Sequence, residues 1–150
     1  MTRPAGPLTY ATYLKVDELI ELQQPLSDGP EHDEMLFIVI HQVYELWFKE
    51  MLHEVEKVKR DFTDGDLFGA IHTFKRLRTI MKTLVQQLDI LETMTPMSFS
   101  AFRERLDTAS GFQSYQFREF EFVMGFKRPA MLKHAVGPKA AAALEKRLRE

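Results

Sequence analysis

A run of six apolar residues, Met35 to Ile40, ends in a histidine, His41, and continues with no turn signal into Gln42-Val43-Tyr44-Glu45-Leu46-Trp47-Phe48-Lys49. No other stretch is as apolar, and it carries the only tryptophan. Six apolar residues alone fit a buried strand or a buried helix equally well. The residues that follow decide between them. Val43, Leu46, Trp47, Met51, Leu52, Val55 and Val58 recur at three- and four-residue steps with charged residues between them, which is the period of an amphipathic helix. Pro30 lies just upstream, and Asp33 and Glu34 suit an electropositive first turn. The spacing predicts one helix from about Glu31 to Phe62, roughly 45 Å long at 1.5 Å per residue. Its first half should be buried on several sides and its second half should lie at a surface. Phe37, Ile38, His41, Glu45 and Phe48 share one face of it. A histidine on such a face is either a core residue with a hydrogen-bond partner or the wall of a pocket, and spacing alone leaves both open.

A second long period follows. Thr63-Asp64-Gly65-Asp66 breaks the first helix, and either aspartate can cap the next. From Leu67 to about Met94, Phe68, Ile71, Phe74, Leu77, Ile80, Met81, Leu84, Leu88 and Leu91 recur helically. Two long helices joined by a short polar turn form an antiparallel hairpin. Around it the sequence predicts short helices over Leu8 to Gln23 (Leu14, Leu19, Ile20 and Leu22 inward), Met97 to Leu106, Gln113 to Met124, Pro129 to Val136 and Ala140 to Glu150. Thr95-Pro96 reads as an N-cap with proline at the first helical position, and Gly125 as a stop. The class is all-α: a helical bundle with two long antiparallel helices and several short ones. Residues 1–150 read as a single helical segment, with residues 1–7 as a mobile arm. The last helix ends mid-pattern, which leads to the expectation of a longer chain or a partner outside it.

Composition narrows the function. With 20 basic and 22 acidic residues and a net charge of −2, no electrostatic case for nucleic acid arises. The absence of cysteine excludes disulfides, thiolate metal sites and cysteine nucleophiles, and permits a cytoplasmic home. No stretch reaches the length of a membrane span. Phosphate-binding glycine loops, GxSxG and HExxH are missing.

Few residues can then carry chemistry. His32, among Glu31, Asp33 and Glu34, reads as solvated. His53 completes one Glu-x-x-His, whereas a di-iron bundle needs two such motifs and two further glutamates, so it reads as an exposed helix residue. His72 reads as an interior or boundary residue. His134 sits at the end of a short helix, where a cation is favourable. Arg103 has Phe99 one turn before it and Phe102 beside it. Aromatics around a guanidinium can shield a fork that grips a carboxylate, although a plain amphipathic helix with Arg103 and Arg105 in solvent fits the same spacing. Ser110-Gly111-Phe112-Gln113 turns from loop into helix and offers free backbone N–H groups.

The segment His32-Asp-Glu-Met-Leu-Phe-Ile-Val-Ile-His41-Gln-x-x-Glu-Leu-Trp47 resembles the signature of the tryptophan 2,3-dioxygenase family. So do Tyr10-x-x-Tyr13-Leu14, Gln23-Gln-Pro-Leu-Ser27, Leu91-Glu-Thr-Met-Thr-Pro96, Phe102-Arg103 and Ser110-Gly-Phe-Gln-Ser114, collinear from about Tyr10 to Lys127. The resemblance implies a haem b enzyme, a cytoplasmic homotetramer that opens the pyrrole ring of L-tryptophan with O₂ to give N-formylkynurenine, the first step of the kynurenine route. It implies that His41 is the catalytic-pocket histidine bonded to the indole N–H, that Phe37 packs on the indole, and that Phe37, Ile38, Val39, Ile40 and His41 line the pocket. Arg103 matches the residue that pairs with the substrate carboxylate, and Ser110 and Gly111 match a loop beside substrate and haem. Tyr10, Tyr13 and Leu14 match residues that reach a neighbouring subunit's pocket. Phe99 stands where many bacterial members have a tyrosine, so a hydroxyl to the carboxylate is missing. The family's axial haem histidine lies beyond residue 150, and none of His32, His53, His72 or His134 matches it. The competing expectation is a truncated or diverged all-α oligomerisation module without haem.

Overall fold

The computed structural model describes residues 7–29 and 31–150. The expected arm over residues 1–7 therefore falls, but for Pro7, outside the described residues, as does Pro30. Among the described residues there is no strand, and the all-α reading stands.

The long apolar run opens α3 (His32–Asp64), one helix of 33 residues. Gly65, at φ +77°, closes it in the left-handed conformation that glycine adopts without a Cβ penalty. The side chain of Asp66 then caps α4 (Leu67–Leu91) by accepting from the Gly69 N–H at 2.9 Å. Met51, Val55 and Val58 of α3 pack against Ala70, Leu77, Ile80 and Leu84 of α4, with Phe120 closing the same cluster. Hydrogen bonds reinforce the hairpin: Tyr44 Oη donates to the Leu84 carbonyl at 2.8 Å and Gln87 Nε2 to the Ile40 carbonyl at 3.2 Å.

Thr95 caps α5 (Pro96–Arg103), whose last residues tighten into a 3₁₀ turn, Glu104–Leu106. Ser114 caps α6 (Tyr115–Val123), which packs on both α3 and α7 (Pro138–Arg149). Arg147 of α7 is buried and holds Glu56 of α3 at 2.6 Å and Glu119 of α6 at 2.9 Å. Hydrogen bonds from Lys59 and Arg147 hold the Glu150 carboxyl down to about 2.

Three expectations need correction. Leu8 to Gln23 is not one helix: α1 (Tyr10–Leu14) and α2 (Val16–Ile20) meet at Lys15, whose φ of +53° breaks the helical path. Leu14, Leu19, Ile20 and Leu22 are exposed rather than inward, because two five-residue helices have no stripe long enough to seat on α3. On α4 only Leu77, Ile80 and Leu84 of the named period are buried. Phe68, Ile71, Phe74, Met81 and Leu88 are exposed, with Leu67 and Val85 beside them. The helix carries two apolar stripes, and α3 covers one. His72, expected as an interior or boundary residue, is exposed.

Glu34 was expected to serve the helix dipole, and it does more. It is buried and accepts from the Leu26 N–H at 2.7 Å, the Ser27 N–H at 3.1 Å and the Ser27 hydroxyl. Burial pushes its carboxyl up, but these hydrogen bonds, with a smaller contribution from the Arg105 charge, outweigh it and leave the pKa below the ordinary value of 4.5. The sign follows: the stabilisation is fully present above the unfolded-state pKa and is lost as pH falls through the lower folded-state value. Glu34→Gln should therefore be less stable than wild type by roughly 1–3 kcal/mol at pH 7, with the gap narrowing on acidification. Urea unfolding of both proteins at pH 7 and pH 3 measures this, and a gap independent of pH would exclude a carboxylate role.

Candidate functional site

An α-helix places every fourth side chain on one face, so Phe37, His41 and Glu45 stand in a row along α3. Two hollows open on either side of that row. The first, of about 380 Å³, lies between Phe37, His41 and Glu45 and the segment that runs through Leu106, Ala109, Ser110, Gly111 and Tyr115. The second, of about 410 Å³, lies between Phe37 and His41 and the α4–α5 connection, with Leu91, Met94, Pro96 and Phe99. Phe37 and His41 are the wall common to both.

Phe37 sits in an aromatic nest. Its ring centroid lies 4.1 Å from that of His41, 5.8 Å from Phe99 and 5.5 Å from Phe102. Phe99 and Phe102 meet edge to face at 5.5 Å, a favoured aromatic geometry. Phe102 is fully buried and anchors the group from below.

His41 is half-buried, and its Nδ1 lies 2.7 Å from the Phe37 carbonyl. A carbonyl oxygen only accepts, so the proton of the neutral imidazole sits on Nδ1 and Nε2 is left as an acceptor. The two readings of His41 thus merge: it has a structural partner, and its ring also lines a cavity.

Across the first hollow, Ser110 begins a 3₁₀ turn, Gly111–Gln113, that closes on itself. The Ser110 N–H donates to Gln113 Oε1 at 3.3 Å, the Phe112 N–H donates to Ser110 Oγ at 3.3 Å, and Gln113 Nε2 donates to the Thr108 carbonyl at 3.2 Å. The turn therefore spends the N–H groups of Ser110, Phe112 and Gln113 internally, and among the described residues the Gly111 N–H has no acceptor.

The remaining candidates stand elsewhere. Val39 and Ile40 lie on the opposite side of α3, where with Val43, Gln87 and Ile90 they line a third hollow of about 400 Å³ against α4. Ile38 is half-buried. Arg103 ends α5 with its guanidinium exposed, and Nη1 donates to the Asp107 carbonyl at 3.1 Å. Tyr10, Tyr13 and Leu14 are exposed on α1. Glu45, Leu106, Ala109 and Tyr115 were not named as site residues from the sequence. Glu45 carried a signal, its place on the His41 face, and the others carried none. Among the described residues, no cluster of three His, Cys, Asp or Glu side chains is placed to hold a metal ion, and no helix is long and apolar enough to cross a membrane.

The family model described as tryptophan 2,3-dioxygenase matches residues 2–141. A curated protein of that name from Herpetosiphon aurantiacus is 57% identical over 143 residues, covering 95% of this chain and 55% of the relative. One from Nocardioides sp. is 52% identical over 149 residues, 95% of this chain and 56% of the relative. One from Caulobacter vibrioides is 47% identical over 145 residues, 96% of this chain and 54% of the relative. The chain thus spans about half the length of the curated relatives it matches.

Proposed function

The chain belongs to the tryptophan 2,3-dioxygenase family, and on that premise we propose that residues 1–150 form the distal, substrate-binding segment of an enzyme that opens the pyrrole ring of L-tryptophan with O₂ to give N-formylkynurenine. The observation that carries the reading is the His41 ring, with Nδ1 committed to the Phe37 carbonyl and Nε2 free to accept beside a hollow of a few hundred Å³. An indole N–H is a donor with no acceptor capacity, and a fixed acceptor on an aromatic wall suits it. The non-enzymatic oligomerisation module is not favoured, since relatives that match most of the chain carry the dioxygenase name.

In this reading His41 Nε2 orients the indole by accepting its N–H, and Phe37 packs on the ring. Arg103 offers the substrate carboxylate the donors that Asp107 leaves free, and Phe99 supplies no hydroxyl there. The small side chains of Ala109, Ser110 and Gly111 leave one end of the first hollow open. A Cβ added at Gly111 would meet no atom within 4 Å, so the backbone there is open to a neighbouring group, and haem is proposed to approach it on that side. When bound, haem supplies the iron chemistry with O₂, while the protein supplies orientation and exclusion of water. The axial histidine is proposed to lie outside these residues. The complete enzyme is proposed to be a cytoplasmic homotetramer in which Tyr10, Tyr13 and Leu14 reach a neighbouring subunit, which suits their exposure here.

The test uses the haem-loaded enzyme in which residues 1–150 are joined to the remaining half carried by the Herpetosiphon relative. His41→Ala should weaken L-tryptophan by about 2- to 13-fold, the worth of roughly 0.5–1.5 kcal/mol for a neutral hydrogen bond. 1-Methyltryptophan, which has no N–H to donate, should be spared. Equal losses for both substrates would leave His41 a purely structural residue.

A further inference from the structure

The two walls of the first hollow come from distant parts of the chain, and few polar bonds join them. One wall is the Phe37–His41–Glu45 row, and the other is the segment from Leu106 to Tyr115. Within that segment the hydrogen bonds are local. Among the described residues, none runs from residues 107–113 to α3. Asp107, at φ +47°, adds a backbone conformation that non-glycine residues seldom adopt. Left to itself, such a loop has no fixed distance from His41.

The first polar link comes just after it. Gln116, half-buried in the first turn of α6, donates from Nε2 to the Glu45 backbone carbonyl at 3.0 Å and to Glu45 Oε2 at 2.7 Å. Glu45 is one turn beyond His41 and itself lines the hollow. A bond to a carboxylate is short and strong, and a bond to the main chain refers the distance to the helix axis instead of to a mobile side chain. The neighbouring apolar contact, Phe48 on Phe117 at 5.3 Å, is non-directional and permits sliding.

We propose that Gln116 is a positioning residue: by tying α6 to Glu45 it sets how far the Ala109–Ser114 loop stands from His41, and so the width of the hollow for an aromatic substrate. The assignment rests on reading that hollow as the tryptophan site. It acts through the loop, with no contact to the reacting atoms.

Gln116→Leu keeps the volume and removes both bonds. In the 150-residue chain, backbone amides of Phe112 to Ser114 should exchange with deuterium about 10-fold faster, with the melting temperature within a few degrees of wild type. In the haem-loaded enzyme described above, KM for L-tryptophan should rise about 10-fold while kcat stays within about twofold, since misplacement by about 1 Å is enough for losses of this order or more. Glu45→Leu removes only the carboxylate bond and leaves the main-chain one, so it should raise KM less than Gln116→Leu, and the double variant should be no worse than Gln116→Leu alone. Unchanged exchange and unchanged KM would overturn the assignment. So would equal falls in kcat and stability with additive effects in the double variant. A wild-type enzyme that does not bind L-tryptophan would overturn the reading of the hollow itself, and this assignment with it.

Discussion

Arg103→Ala in the haem-loaded enzyme is expected to lower kcat/KM for L-tryptophan by about 10- to 150-fold. The range follows from hydrogen bonds to charged groups, which contribute roughly 1.5–3 kcal/mol. Among the described residues only one acceptor, the Asp107 carbonyl, takes a hydrogen from this guanidinium, and most of its five donors face no partner there. Phe99 beside the second hollow offers no hydroxyl to share the task. Arg103→Lys should recover only part of the loss, because an ammonium is a point charge and cannot make the two parallel bonds of the planar fork. Tryptamine, which lacks the carboxylate, should be nearly indifferent to both substitutions. Steady-state kinetics with the two substrates separate the possibilities. Equal damage to both would return Arg103 to the role of a solvated helix-end cation.

Phe102→Ala should be the costliest single change near the site. Phe102 is fully buried, and its ring contacts both Phe37 and Phe99. Truncating a buried phenylalanine costs about 3–5 kcal/mol in lost transfer energy and cavity formation, a large part of a total stability of about 5–15 kcal/mol. For a chain of this size that is a fall of roughly 6–20 °C in Tm. The seat of Phe37 would loosen with it. Phe68→Ala, at an 88% exposed position, is the control and should shift Tm by no more than a degree or two. A Phe102→Ala variant that loses less than about 1 kcal/mol in urea titration would show that the aromatic nest collapses without strain and is not a rigid wall.

The long hairpin could be read from the sequence because two strong signals agreed, a sustained three-four period and a Gly65 stop that needs a left-handed residue. The α1–α2 break could not. Lys15 takes the same left-handed conformation, yet lysine has no preference for it, so residue type carries no warning. The apolar period of α4 announced burial without saying on which side, and the structure leaves one of its two stripes open. At the site, Phe37, His41 and Glu45 could be grouped from helix geometry alone. What faces them, the segment from Leu106 to Tyr115, arrives from about seventy residues away through tertiary packing. Val39 and Ile40 entered as part of a contiguous run, and a helix turns that run away from His41 within two residues. Glu34 shows the same limit: a first-turn carboxylate was expected, but its buried grip on Leu26 and Ser27 depends on where the preceding loop returns.

The acceptor that fixes His41 has a consequence for how the site can vary. In many enzymes the histidine tautomer is set by a neighbouring carboxylate, and one substitution there changes which nitrogen is bare. Here the acceptor is the Phe37 carbonyl, the same oxygen that receives the His41 backbone N–H in the regular helix. No side-chain replacement, at Phe37 or anywhere else, removes that oxygen. The choice of nitrogen is therefore written into the position of His41 on a helix, and the walls around it are free to drift in sequence without changing which ring nitrogen is left to accept a hydrogen bond.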